Sequence, residues 1–244
     1  MIKIKAITSG KGGVGKSTCS IELAFALEKL GQRVLLIDAD QGMRCLDILL
    51  GVSEGLLFDL SDAVKGRDLY SCLLPIKKHP GISLLPAPAV QNLFSAEEFS
   101  LFLEGIDEEL FDTVLIDLPA GIDQELFRAF PLYTEFICVC NPNAVSVRDA
   151  AAVGKAVKEA KKTGTLIINR YQTYFIKNPI FSDLDTIIDQ TGLTLIGIVP
   201  ESEKLSLAFL YGDFSLKGRE GKAFTRIGGR IIGKNIPLPK LKKI

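Results

Sequence analysis

The sequence predicts one α/β domain with a mainly parallel, twisted central sheet flanked by helices, and three observations carry that expectation. Short runs that are apolar throughout alternate with stretches of helical spacing along the whole chain. Strands buried on both faces read this way, and helical crossovers between them make the sheet parallel. The 244 residues, 47% of them hydrophobic, suffice for one sizeable core. No repeat, linker or composition break divides them, so 1–235 is expected as the domain and 236–244 as a short basic tail.

Taken in order, strands are expected at 2–8, 34–37, 82–85, 113–116, 136–140, 166–168 and 193–199, each a short apolar run. Helices are expected at 17–30, 95–107, 147–161 and 181–190, where spacing or composition turns helical. Gly31 falls where the first helix needs a C-terminal cap. His79, the sole histidine, precedes Pro80-Gly81 and is expected as a solvated turn residue.

Composition excludes several classes. No run of about 18 apolar residues is present, and the N-terminus lacks the apolar core of a secretory signal, so a cytoplasmic protein is expected. Five cysteines at 19, 45, 72, 138 and 140 form no C-x-x-C pair, which fits reduced, buried thiols better than disulfides or a zinc site. The formal net charge is +0, yet from Lys217 to Lys243 nine lysines and arginines face Glu220 alone. The chain therefore ends in a basic appendage.

Residues Gly10-Lys11-Gly12-Gly13-Val14-Gly15-Lys16-Ser17 fit the pattern G-x-x-x-x-G-K-[ST], after an apolar run and before an amphipathic helix. Glycines at such a turn let successive backbone N–H groups point at an anion, and the helix N-terminus adds its dipole. A P-loop NTPase fold is thus expected, with Lys16 on the β- and γ-phosphates, Ser17 on Mg²⁺ and Thr18 following in the first helical turn. Asp117 ends the run Val-Leu-Ile-Asp, where a strand delivers a carboxylate to the ligand-binding edge of the sheet, and is expected in the Mg²⁺ shell. Asp38 and Asp40 end the second strand in the same way; either could instead serve as a strand-end cap. The turn 118–121 is suited to sensing a γ-phosphate.

The base is expected to be adenine. Guanine readers carry Asn-Lys-x-Asp, whereas here the sixth strand runs into Asn169-Arg170-Tyr171-Gln172 with no such aspartate. Asn169 can both donate to and accept from an adenine edge, Arg170 adjoins it, and Pro200-Glu201-Ser202 after the seventh strand is expected as the second wall. ATP or ADP with Mg²⁺ is the expected ligand set.

The lysine at position 11 turns the motif into K-G-G-x-G-K-[ST], and with it the chain resembles the MinD/ParA family of deviant Walker-A ATPases. The match runs on through Asp38-Ala39-Asp40, Arg44 to Asp47, Leu115 to Gly121, Asn141-Pro142, Ser146 to Asp149, Asn169-Arg170 and Pro200-Glu201, and is nearest the MinD branch. The resemblance implies an ATP-dependent homodimer in which Lys11 crosses to the other subunit's nucleotide. It also implies that Asp40 positions or activates the attacking water and lies near the metal, with 40–47 and 117–123 as the switches. The physical case runs parallel, because phosphoryl transfer needs a cation and the motifs hold no separate arginine finger; the plainer alternative is a solvated loop lysine. Further implications are a role in division-site selection, MinC- and MinE-like partners and reversible association with the cytoplasmic membrane. Cys45 departs from the small polar residue expected at its place.

The tail departs too. Lys222, Arg226, Arg230 and Lys234 recur every four residues opposite Ala223, Phe224, Ile227 and Ile231, the pattern of a basic amphipathic helix, which either docks on the sheet with its charges solvated or meets an anionic membrane. Docking is the preferred expectation. Pro237 and Pro239 forbid a regular helix after it, and the last eight residues, basic with Leu238, Leu241 and Ile244, are expected as a weak membrane contact that a dimer doubles. The alternatives are a ParA-like partitioning ATPase that binds DNA non-specifically, a flagellar-number regulator, and an ATP-dependent synthetase of the dethiobiotin or cobyrinate type. An iron–sulfur carrier is disfavoured by the cysteine pattern.

Overall fold

A computed structural model describes residues 2–172, 184–214 and 217–240. Its strands are β1 (Lys3–Thr8), β2 (Val34–Asp38), β3 (Leu74–Ile76), β4 (His79–Leu85), β5 (Thr113–Asp117), β6 (Glu135–Cys140), β7 (Thr163–Tyr171) and β8 (Thr194–Pro200). The helices are α1 (Lys16–Lys29), α2 (Leu46–Leu49), α3 (Leu60–Val64), α4 (Leu69–Cys72), α5 (Ala96–Glu104), α6 (Gln124–Ala129), α7 (Ala144–Glu159), α8 (Leu184–Thr191), α9 (Glu203–Tyr211) and α10 (Gly218–Ile231). The sheet order is β3-β4-β2-β5-β1-β6-β7-β8. Every pairing is parallel except β3 with β4.

The apolar runs fall into place because both faces of the sheet are covered. Ile4, Leu35, Ile37, Val114, Ile116 and Phe136 point to the side packed with α5 to α8. Their neighbours Ile7, Val34, Leu36, Leu115, Ile137 and Val139 point to the side of α1 and α10. All seven expected strands are present, some a few residues longer. Of the expected helix at 181–190, residues 181–183 lie outside the described residues, and α8 accounts for the rest.

Two expectations are corrected. β3 was not anticipated: three residues with an exposed Pro75 between buried Leu74 and Ile76 make too short a run to read, and the proline fits only because β3 is an edge strand. His79 is not a solvated turn residue. It opens β4, its ring stacks on Phe25 at 3.8 Å, and its Nδ1 lies 2.5 Å from Glu28 Oε2. The β3–β4 connection turns at Lys77-Lys78 instead, and this hairpin brings the histidine back over α1.

The basic amphipathic stretch is α10, and it docks. Phe224 and Ile227 are buried between α1 and β8. Gly228-Gly229 does not break the helix but lets it approach closely: a Cβ on Gly228 would stand 3.3 Å from the Ala26 Cβ, and one on Gly229 would stand 2.4 Å from Ile236 Cδ1. Arg230 is not a solvated charge. Its guanidinium donates to the carbonyls of Ile196 (2.7 Å), Ile236 (2.8 Å) and Pro237 (2.8 Å), so the chain leaves the domain from a fixed point. The end of the tail, 241–244, lies outside the described residues.

Candidate nucleotide site

The loop from β1 to α1 is built to hold an anion. Gly13 (φ 78°) and Gly15 (φ 93°) take the left-handed backbone that glycine adopts without strain, and a Cβ on Gly15 would stand 2.4 Å from Asn169 Nδ2. α1 has no side-chain cap and no acidic residue in its first turn, which leaves its first N–H groups to an external acceptor. Gly10 packs so closely on α7 that a Cβ would stand 2.5 Å from the Asp149 carbonyl oxygen. Buried Val14 accepts a 2.8 Å hydrogen bond from Asn169 Nδ2.

Asp117 organises the centre. It is fully buried; its Oδ2 accepts from Ser17 Oγ at 2.7 Å, and its Oδ1 accepts from Ser20 Oγ at 2.7 Å and lies 3.0 Å from Lys16 Nζ. Lysine, hydroxyl and carboxylate thus converge at the loop's mouth, which is the donor set a Mg²⁺-nucleotide requires: a cation for phosphate, a hydroxyl for the metal and a carboxylate behind it. The residues fit that ligand.

Asp38 pairs with Asp117 in the β2–β5 register but has a different environment. It accepts from the backbone N–H groups of Asp40 (3.1 Å), Cys45 (3.0 Å) and Leu46 (3.0 Å). Burial, with the Asp117 charge next, pushes its carboxyl up to about 6 against those three donors. Of the two readings open for Asp38, the strand-end cap is the one observed, and what it caps is the whole 40–46 loop. Asp40 reaches the cavity over the P-loop; burial raises its carboxyl, with Lys16 opposing and Asp117 adding. Cys45 Sγ sits 3.7 Å from Ser17 Oγ, and burial, chiefly, pushes the thiol up to about 12, so it stays protonated.

One cavity of about 460 Å³, well within the range of small-molecule sites, joins these parts. Gly12, Gly13, Gly15, Lys16, Ser17 and Thr18 line it together with Asp40 and Ala120. Toward β7 and β8 the walls are Asn169, Arg170, Pro200, Glu201 and Ser202, the residues expected around the base. Glu201 N donates to Tyr171 O at 2.9 Å and ties the two walls together. Arg170 has a left-handed backbone (φ 55°), strain of a kind that clusters at functional sites. Gly10, Lys11, Val14 and Asp117 do not line the cavity. Lys11 is partly exposed and makes no ion pair among the described residues.

Sequence reasoning missed two contributors. Ser20 is the buried second hydroxyl on Asp117, signalled only by its place one turn after Ser17 on the first helix. The other is α9, whose Leu205, Ser206, Phe209 and Leu210 line the cavity. Ala120, from the turn 118–121 named in the sequence, enters because Gly121 N donates to Ser9 O and folds the turn over the loop.

With this geometry in place, comparison with known proteins is decisive. The model of the CobQ/CobB/MinD/ParA nucleotide binding domain matches residues 5–216. The chain belongs to that family. Within the MinD/ParA group, the septum site-determining protein MinD of Bacillus subtilis (strain 168) is 33% identical over 246 aligned positions, covering 97% of this chain and 91% of the relative. A chain of the MinC:MinD cell division protein complex from Aquifex aeolicus superposes with a TM-score of 0.85 at 32% identity, covering 98% of this chain and 99% of that one. The septum site-determining protein MinD of Pyrococcus horikoshii OT3, complexed with Mg-ADP, does so with a TM-score of 0.81 at 25% identity, covering 96% of this chain and 97% of that one. This MinD/ParA chain is therefore MinD-like in sequence and fold, and its P-loop is that of the family's ATPases.

Proposed function

We propose that the chain is a MinD-type ATP switch: it binds ATP with Mg²⁺, dimerises, hydrolyses ATP to ADP and phosphate, and acts in division-site selection by reversible association with the cytoplasmic face of the membrane. The observation that carries this reading is the convergence of Lys16 and Ser17 on Asp117, with Asp40 in the same cavity, while Lys11 stands apart from that cavity.

Bound Mg²⁺ would neutralise charge on the β- and γ-phosphoryl oxygens. Lys16 and the amides of 12–18 would hold the phosphates, and Ser17, Asp117 and Asp40 are the residues that would hold the metal, the two aspartates through water. Asp40, with its raised carboxyl, orients the attacking water and accepts its proton. Asp38 keeps the Asp40 loop in register through three backbone donors. Lys11 supplies the missing cation to the facing subunit, which makes turnover conditional on the dimer. Asn169, Arg170 and the 200–202 wall take the base, so ATP is preferred over GTP. A MinC-like protein is the expected partner by analogy with the complexed neighbour, and a MinE-like stimulator is expected from the family resemblance alone. The fixed exit of the basic tail beside α10 is the proposed anionic-membrane contact, and two tails in a dimer bind where one does not.

Two variants test this in one experiment. Lys16→Ala should lose nucleotide binding; Asp40→Ala should keep ATP, lose roughly a hundredfold to ten-thousandfold in turnover, the range for a general base, and accumulate as dimer by light scattering. The dimer should sediment with anionic vesicles when ATP, but not GTP, is supplied. An Asp40→Ala protein that stays monomeric with ATP, or that sediments with DNA instead of vesicles, would overturn the reading.

A further inference from the structure

We propose that a second cavity, enclosed by the β3–β4 hairpin, the loop after α2 and the loop after α9, binds a small amphipathic zwitterion. Such a ligand has an apolar body with one carboxylate and one ammonium, as a short apolar peptide with free ends does. The cavity shares no lining residue with the nucleotide site among the described residues.

Its volume is about 560 Å³, the size of a small-molecule site. The floor is apolar, with Phe25 of α1, Leu74 and Ile76 of β3, and Phe214 all buried beneath it. Four charged residues stand around it, and all four are exposed: Lys77 and Lys78 at the hairpin tip, Glu54 after α2, and Asp213 after α9. None of them forms an ion pair among the described residues. The lysines are adjacent on one segment, whereas the carboxylates belong to the other two. A simple anion would meet the lysines but also the carboxylates, and a simple cation the reverse. A zwitterion can set its carboxylate by Lys77 and Lys78 and its ammonium by Glu54 and Asp213, while its body covers the apolar floor.

The walls are fixed in advance. His79 lines the cavity, stacked on Phe25 at 3.8 Å and held through Nδ1 by Glu28 Oε2, while Glu28 Oε1 accepts from Gly81 N at 2.9 Å. The hairpin is thus tied to α1 at two points. The loop after α2 is closed by Gly51 N on Ile48 O (3.1 Å) and Val52 N on Asp47 O (2.9 Å). The loop after α9 starts at Gly212 in the left-handed conformation (φ 67°), so close to α2 that a Cβ would stand 2.7 Å from the Leu49 carbonyl oxygen. A cavity with such walls does not have to be ordered when a ligand enters.

The test keeps one apolar body and changes its end charges. The full chain is titrated with the dipeptide Leu-Phe, with its N-acetyl form and with its C-terminal amide, following backbone amide shifts by NMR. Leu-Phe should shift Gly51, Gly55 and Gly212, and each blocked form should bind about fivefold more weakly, the upper end for an exposed ion pair. Gly-Gly, which lacks the body, should shift nothing. Replacing both lysines, Lys77→Ala with Lys78→Ala, should bring Leu-Phe down to the affinity of its amide and leave the amide unchanged. Gly55→Leu fills the cavity and should abolish binding; Gly55 has no positive φ, and a Cβ there meets only Leu74 Cδ2, at 3.5 Å. Equal binding of all three Leu-Phe forms would reduce the site to an apolar crevice and overturn the proposal. So would the absence of shifts at the three glycines, or displacement of Leu-Phe by Mg-ADP, which would place the dipeptide in the nucleotide cavity.

Discussion

Asp38 and Asp117 occupy paired positions on neighbouring strands, and their different partners separate their roles. Asp117 receives a lysine and two serine hydroxyls, so its charge is matched and available to a metal shell. Asp38 has its oxygens taken by three backbone N–H groups of the 40–46 loop, which suits a brace and not a reactant. Charge is handled differently at the surface. Arg33 grips Asp112 through Nη2 (2.8 Å) and its own backbone N–H (2.8 Å), and those hydrogen bonds hold the Asp112 carboxyl down at about 2. A depressed carboxylate contributes stability above its ordinary pKa of 3.8 and loses it as pH falls through about 2. Following the Asp112 carboxyl carbon by NMR should give a midpoint near 2, and Arg33→Ala should return it toward 3.8. A midpoint unmoved by the substitution would mean that the guanidinium is not the cause.

At the scale of elements, α10 shows how one pattern admits two environments. Its basic residues and apolar face suit a membrane surface and a docked helix equally, and the docked form prevails because Gly197, Gly228 and Gly229 clear space for it. A Cβ on Gly197 would stand 2.2 Å from Ile227 Cγ1, so helix and strand touch where a side chain would hold them apart. Phe224, fully buried, is the anchor. Phe224→Ala should cost about 3–5 kcal/mol in urea unfolding, the usual range for a truncated core aromatic. A loss below about 1 kcal/mol would show that α10 leaves the sheet in solution.

At the scale of the molecule, the proposed switch needs two chains, because Lys11 stands outside its own cavity. Lys11→Ala should bind ATP as a monomer yet neither dimerise with itself nor turn over. Mixing it with Asp40→Ala yields a heterodimer in which one site lacks both residues and the other has both. Up to about half of the wild-type turnover per dimer should return, from the intact site. No recovery, under conditions where heterodimers are shown to form, would place Lys11 in its own chain's site.

What the sequence determined by itself is whatever depends on local order. The strands were legible because burial on both faces leaves uninterrupted apolar runs, and the phosphate loop because its glycines, Lys16 and Ser17 are contiguous and flanked by a strand and a helix. Asp117 and Asp40 were legible because a carboxylate at the end of a buried run has one edge of the sheet to reach. Tertiary structure alone decided what depends on long-range approach: that Ser20 joins Ser17 on Asp117, that His79 folds back onto Phe25 and Glu28, and that α9 closes the cavity. It also decided that Asp38 caps a loop, since three backbone donors converge on it only after that loop has turned. The physical reason is common to all four: a side chain's residue type and spacing carry its intrinsic chemistry, whereas its partners are set by the packing of segments far apart in the chain.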